Sequence, residues 1–224
     1  STVSRFVASL TELGLLERAE HGRKVRLSLR LYEIGMVAVR HRPILGLVGE
    51  TLTRTAARLG ETTAVGVLIG GEIVFLERAG GGRESVRLEL GRRFPASRSA
   101  AGRVILAGGP QRPSPGSGRE LRRAGQPMRF ADELSEVREI GYATELGEMM
   151  DGVNAVAAPI IDRSGQPVAA FSVLTNGARL GNSLGSELIQ TVTLAAAEVS
   201  RKLGYHRAVE NLRHCEQSLQ AGIG

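Results

Sequence analysis

Apolar positions recur at helical spacing from the first residues of the chain: Val3, Phe6, Val7, Leu10 and Leu13, closed by Gly14 as a stop. The opposite face carries Ser1, Thr2, Ser4, Arg5 and Ser9, all short or cationic hydrogen-bonding groups. Leu16 leads into the polar turn Glu20-His21-Gly22-Arg23. Val25, Leu27 and Leu29 then alternate with Lys24, Arg26 and Ser28, which predicts a half-buried strand with a basic outer face. A helix followed by a short hairpin with basic residues at its tip fits a recognition helix and wing. On local pattern alone a surface helix and a solvated hairpin fit slightly better. Residues 28–42 continue as a helix through Leu31, Ile34 and Val37 and end in Arg40-His41-Arg42. Pro43 suits the first position of the next helix, whose stripe runs Ile44, Leu47, Val48, Leu52, Ala56 and Leu59 before Gly60. This pair of helices reads as a linker into a second domain.

From Thr62 the period changes to two. Residues 63–69 and 72–78 flank Gly70-Gly71, a two-residue hairpin signal. A Gly80-Gly81-Gly82 loop precedes an expected strand at 85–90, and Phe94-Pro95 leads into a short helix near 99–107. Residues 108–118, GGPQRPSPGSG, are the one low-complexity stretch and read as an exposed loop. A helix at about 131–140 ends at Gly141. Strands at about 153–162 and 168–176 are joined by Arg163-Ser164-Gly165-Gln166, and a final helix from about Ser183 carries Leu184, Leu188, Val192, Ala195, Val199 and Leu203 on one face. Antiparallel hairpins interleaved with helices imply an α+β domain, not a doubly wound parallel sheet.

Composition narrows the function. The 224 residues are 42% hydrophobic and 23% charged, enough apolar material for a real core. No apolar run approaches the ~18 residues of a membrane helix. The single cysteine, Cys215, excludes an internal disulfide framework and any multi-cysteine metal site, and suits a reducing cytoplasm. The chain begins at Ser1 with no leader pattern and reads as a piece of a longer cytoplasmic protein. The net charge of +6 invites a polyanionic partner, but its distribution is uneven. Residues 1–43 carry +4 and residues 78–129 carry +9, so basicity alone does not locate a nucleic-acid surface. Aromatic residues are 4% with no Trp, which disfavours a base-stacking platform for single strands.

No phosphate-binding G-x-x-x-x-G-K-[ST], H-E-x-x-H or C-x-x-C motif occurs. His206 and His214 lie eight apart, too far for i,i+4 metal pairing. Carboxylates cluster at Glu145, Glu148 and Asp151, where one could bind a ligand, but no nucleophile–base pair stands beside them. Neither a catalytic constellation, a metal site nor a cofactor is expected.

Six segments in order carry a resemblance: S-T-V-S-R-F-V-A-S-L-T-E-L-G-L-L-E-R, R-L-Y-E-I-G, G-R-R-F-P-A-S-R-S-A-A-G-R-V-I-L-A, R-E-I-G-Y-A-T-E-L-G-E-M-M-D-G-V, A-V-A-A-P-I-I-D and A-A-F-S-V. The chain resembles the IclR (isocitrate-lyase regulator) family of bacterial transcription factors over essentially its whole length. The resemblance implies a truncated winged helix-turn-helix remnant (1–29), linker helices (30–60), a GAF-like antiparallel-sheet effector domain with flanking helices (61–205) and a helical tail (206–224). It implies a cytoplasmic, non-enzymatic regulator, a homodimer or homotetramer, that binds double-stranded promoter DNA and senses a small organic carboxylate. The alternatives are a GAF-type sensor acting through protein partners, and an enzyme on a GAF-like scaffold.

By the resemblance, Ser1, Thr2, Ser4 and Arg5 face the major groove and Arg23 and Lys24 reach the flanking backbone. The effector site carries over onto Phe94, Ala100, Ala101, Glu145, Val153, Ala155, Ser172 and Leu174. Strand parity agrees, since Val153 and Ala155 share a face, as do Ser172 and Leu174. Ala100 and Ala101 open a helix whose N–H groups can bind a carboxylate, with Glu145 expected at the rim. Relatives that sense small 2-oxo acids tend to have Cys where Ala155 stands and Ser where Leu174 stands, so a more apolar or aromatic carboxylate is expected. The basic block of Arg92, Arg93, Arg98 and Arg103 reads either as attraction for an anionic effector or as solvated surface.

Overall fold

The computed structural model describes residues 2–19, 24–40, 42–80, 85–109, 127–177 and 182–206. Ser1, Arg23, the turn at 20–23 and nearly all of the stretches 108–118 and 206–224 lie outside the described residues, as does Cys215. The chain divides into two compact units, residues 1–46 and 47–224.

In the first unit, α1 (Thr2–Glu12) is followed by β1 (Leu16–Arg18), β2 (Val25–Leu27) and α2 (Leu29–Arg40). The strands pair antiparallel, Leu16 opposite Leu27 and Arg18 opposite Val25. Gly14, at φ +71°, ends α1, and the Ser28 hydroxyl donates to its carbonyl. One expectation is corrected. Val25, Leu27 and Leu29 are exposed rather than half-buried, because a two-stranded hairpin buries a face only against another layer and none in this unit covers it. Leu29 already belongs to α2.

Helix α3 (Pro43–Leu59) runs from the first unit into the second. There β3 (Thr62–Ile69), β4 (Glu72–Ala79), β5 (Arg93–Pro95), β6 (Ala143–Leu146), β7 (Val153–Ile161) and β8 (Pro167–Asn176) form one sheet, antiparallel throughout, in the order β5-β4-β3-β8-β7-β6. Gly70 and Gly71 both have positive φ, 64° and 89°, as a two-residue turn matched to the strand twist requires. Helix α4 (Ala100–Gly108) covers one face, with α5 (Pro127–Ile140) packed on α4. Helix α6 (Asn182–Lys202) covers β7 and β8 on the other, where Leu188, Val192 and Val199 are buried. On that side Thr63 donates to the Leu52 carbonyl of α3 (3.0 Å), and Glu198 accepts from Thr51 and Arg54 and pairs with Lys202.

Both faces of β7 and β8 are therefore buried, which is why they read as continuous apolar runs and not as alternation. Val156, Ala158, Phe171 and Val173 form one side, and Ala155, Ala157, Ala170 and Leu174 the α4 side. A second expectation also changes: residues 85–90 form no ladder. Val86 and Leu88 point into the core as the alternation demands, but a tight i,i+2 bond from the Leu88 N–H to the Val86 carbonyl kinks the segment. The edge of β4 is taken instead by β5, through Ile73 opposite Phe94.

Candidate functional site

The chain turns at Pro95 into a 3-10 turn, Ala96–Arg98, and Ser99 caps α4 by accepting from the Gly102 N–H at 3.0 Å. Gly102 is there because a Cβ would lie 2.1 Å from the Ala96 carbonyl oxygen. With Gly102 bonded to the cap, the N–H groups of Ala100 and Ala101, at the first two helical positions, have no intrahelical acceptor. The direction of α4 places them. Its C-terminal end rests on the start of β8, where a Cβ on Gly108 would meet Pro167 at 3.0 Å. Near its other end Arg103 donates to the Thr144 carbonyl (3.0 Å), and Thr144 lies in the same rung as Val156 and Val173. The N-terminus of α4 thus stands over the sheet at the level of residues 172–174.

The sheet beneath is built from small side chains. One rung runs Ala64, Ser172, Ala157, Ala143, and the next runs Thr62, Leu174, Ala155, Glu145. Phe94 and Phe75 meet edge to face, ring centroids 6.1 Å apart, beside this floor. Phe94, Ala100, Ala101, Val153, Ala155 and Leu174 belong to one buried cluster. Ser172 and Glu145 extend its rungs. All eight residues carried over from the resemblance are therefore gathered on one side of the sheet.

Within that apolar setting two polar atoms are buried with no hydrogen-bond partner among the described residues: the Ser172 Oγ and the Glu145 Oε1. Glu145 is 1% exposed, so it lies in the interior and not at the rim. Its Oε2 accepts from the N–H groups of Glu148 (3.0 Å) and Met149 (2.8 Å), which leaves Oε1 as the free atom. Burial raises the Glu145 carboxyl above its ordinary value; these two N–H bonds and the Arg103 cation oppose the rise, and the Glu148 charge adds to it.

Arg103 belongs to the same construction and corrects the reading of the basic block. It is neither solvated surface nor free for an anion. Its buried guanidinium pairs with Glu133 of α5 (2.9 Å) and with Glu148, and donates to the carbonyls of Thr144 and of Ser97 (3.2 Å). It ties α4, α5 and the turn after β6 together, and that turn supplies the N–H groups holding Glu145. Arg93 pairs with Glu72 at 2.8 Å, and Arg92 stacks over the Phe94 ring. Sequence spacing hid these roles, since Arg103 finds its carboxylates 30 and 45 residues downstream. Gly102, Phe75, Ala64 and Ala157 were also missed; only the strand parity of Ala157 could have suggested one of them.

In the first unit Thr2, Ser4 and Arg5 lie exposed on α1 and Lys24 is exposed before β2. The apolar positions of the same helix are not covered either: Val3 is 71% and Phe6 67% exposed. Among the described residues no group of three or more His, Cys, Asp or Glu could hold a metal ion, and no helix is long and apolar enough to cross a membrane.

Residues 36–201 match the family model described as bacterial transcriptional regulator IclR, C-terminal. The chain is similar to the HTH-type transcriptional regulator KdgR of Dickeya chrysanthemi, 26% identical over 215 residues that cover 92% of this chain and 70% of the relative. Its fold is similar to that of an IclR transcriptional regulator from Silicibacter sp. TM1040, at TM-score 0.78 and 22% identity, covering 92% and 84% of the two chains. An IclR homolog from Microbacterium hydrocarbonoxydans, solved in complex with 4-hydroxybenzoate, is similar at TM-score 0.70 and 26% identity, covering 95% of this chain and 85% of that one.

Proposed function

Because this chain belongs to the IclR family of bacterial transcriptional regulators and carries its C-terminal domain, we propose that it is a cytoplasmic, effector-responsive DNA-binding regulator whose effector is a small organic carboxylate, held between α4 and the sheet. The observation that carries this reading is the pair of unpartnered buried polar atoms, Ser172 Oγ and Glu145 Oε1, beside a capped helix N-terminus. A carboxylate accepts from the Ala100 and Ala101 N–H groups and from Ser172, and its body packs on Phe94, Val153 and Leu174. The apolar Ala155 and Leu174 favour an aromatic body over a small oxo acid. The 4-hydroxybenzoate complex of the Microbacterium homolog supports the same class.

DNA is read through Ser1, Thr2, Ser4 and Arg5, with Arg23 and Lys24 on the phosphates, by a homodimer or homotetramer. The test is calorimetry and gel shift on the intact regulator. Ser172→Ala weakens the effector by about 0.5–1.5 kcal/mol, or more if the bond is charged. It leaves effector-free operator affinity unchanged, since the sites communicate only through differential binding. Arg5→Ala weakens operator binding by about 1–3 kcal/mol. Equal effector Kd for wild type and Ser172→Ala places the effector elsewhere, and unchanged operator affinity in Arg5→Ala removes α1 from the DNA interface.

A further inference from the structure

We propose that the turn at 147–152 is the door to the effector site and that the ion pair of Arg103 with Glu148 is its latch, so that Glu148 governs how fast the effector enters and leaves, not how tightly it is held. This rests on the carboxylate reading above and adds to it a route and the residue that controls it.

The site has no open mouth: none of the eight residues assigned to it is more than 7% exposed. An effector therefore enters only when something covering them moves. The covers differ in how they are fixed. Helix α4 is held at both ends, by the close approach of Gly102 to Ala96 and by Gly108 against Pro167. Residues 86–91 are tied back through their main chain, the Val86 carbonyl accepting from Thr62 (2.9 Å) and the Gly91 N–H donating to the Phe75 carbonyl (3.0 Å). The turn at 147–152, which joins the site residues Glu145 and Val153, is built otherwise. Its base is fixed, since the Gly147 N–H donates to the Val153 carbonyl (2.9 Å) and the Gly152 carbonyl accepts from the Gly177 N–H (2.7 Å). Its tip is fastened by side chains. Glu145 Oε2 takes the N–H groups of Glu148 and Met149, Arg103 pairs with Glu148, and Met149 and Met150 pack on the buried cluster. Gly147 and Gly152, at φ +70° and +71°, stand at its two ends, in a region that glycine leaves and re-enters without the penalty other residues carry. Methionine side chains are unbranched and adapt to irregular partners, so they seat on an occupied site as well as on an empty one. The Glu148 side chain is 40% exposed, so water reaches the latch without unpacking the core. Because the latch is made whether or not the effector is present, its loss speeds entry and exit alike and leaves Kd nearly unchanged.

The probe is 4-fluorobenzoate, whose exchange on and off the full chain is followed by fluorine NMR. In Glu148→Ala both rates should rise by about 5- to 30-fold, the size of a lost charge-assisted bond at a part-exposed site, with Kd within about threefold of wild type. Glu133→Ala removes the other carboxylate from the same guanidinium but leaves the turn fastened, so its rates should stay within about threefold of wild type. Hydrogen exchange reads the door without ligand. In wild type the Glu148 and Met149 N–H groups should exchange faster than the amides of β7, and in Glu148→Ala faster still, while α4 and residues 86–91 keep their protection. If Glu148→Ala fails to fold, Glu148→Gln, which weakens the pair without removing it, should move both rates the same way by less. Unchanged rates overturn the door while the carboxylate reading survives. Equal acceleration in Glu133→Ala does the same, as does protection lost in α4 or residues 86–91 instead of the turn. A rise in the exit rate alone overturns it too, since Glu148 would then hold the effector itself. If wild type does not bind the probe at all, the aromatic carboxylate reading falls and the door with it.

Discussion

Ser172 and Glu145 each bury a polar atom that the polypeptide itself leaves unsatisfied, and such atoms carry a desolvation cost without a compensating bond. In the ligand-free protein Ser172→Ala should therefore be at least as stable as wild type, its Tm unchanged or raised by up to about 3 °C. A fall of several degrees by calorimetry would show that the hydroxyl is satisfied after all. Glu145 carries a pH signature. Burial raises its carboxyl above the ordinary 4.5, so the folded chain holds the proton more tightly than the unfolded one. Its contribution favours folding at pH below 4.5 and is lost as pH rises through the raised value. The stability of ligand-free Glu145→Gln should accordingly exceed that of wild type increasingly from about pH 5 toward pH 8. Parallel Tm–pH curves would contradict a desolvated carboxyl. That Glu145 matters could be taken from the resemblance. That it is interior could not, because Glu148 and Asp151 beside it make the segment look like one solvated cluster, and only the β6–β7 rung with Ala155 turns it inward.

Helix α4 depends on close approach more than on propensity. Gly102 touches the backbone of the preceding 3-10 turn, so Gly102→Ala must push the two apart. The expected loss is about 1–3 kcal/mol or more, read in urea, together with loss of effector binding. Ser99→Ala removes only the cap and should cost about 1 kcal/mol. If Gly102→Ala proves no more harmful than Ser99→Ala, the contact with Ala96 is not tight. At this scale legibility followed length and local chemistry. The Gly70-Gly71 hairpin, α4 and the long strands β7 and β8 were readable because turn residues and apolar runs are local signals. Strands β5 and β6 are three and four residues long and gain their structure from β4 and β7, which sequence adjacency does not reveal. Residues 85–90 show the converse: their alternation marks which side chains point inward, not whether a partner strand exists.

The two units differ in what holds them. In the second, β3, β7 and β8 are buried on both faces, whereas in the first α1 has no buried residue and β2 is exposed throughout. Local opening free energies track such burial. Hydrogen exchange on this chain should find the slowest amides in β7, β8 and the adjoining part of β3, and fast exchange in α1 and the β1–β2 hairpin. Uniform protection across both units would mean that α1 is covered by a surface absent from this single chain.

The position of β8 between β3 and β7 has a consequence in time. Thr62 to Gly66 find their partners at Leu174 to Ala170, roughly 100 residues later. At a synthesis rate of about 5–20 residues per second, the β3–β4 hairpin is on hand for roughly 5–20 s before the strand that completes its sheet leaves the ribosome. Throughout that interval β3 presents an open, apolar edge to the crowded exterior, the condition under which wrong pairings form. The rung joining Ala64 to Ser172 and Ala157 closes only afterwards, so the place proposed for the effector is incomplete until nearly the whole domain has been made.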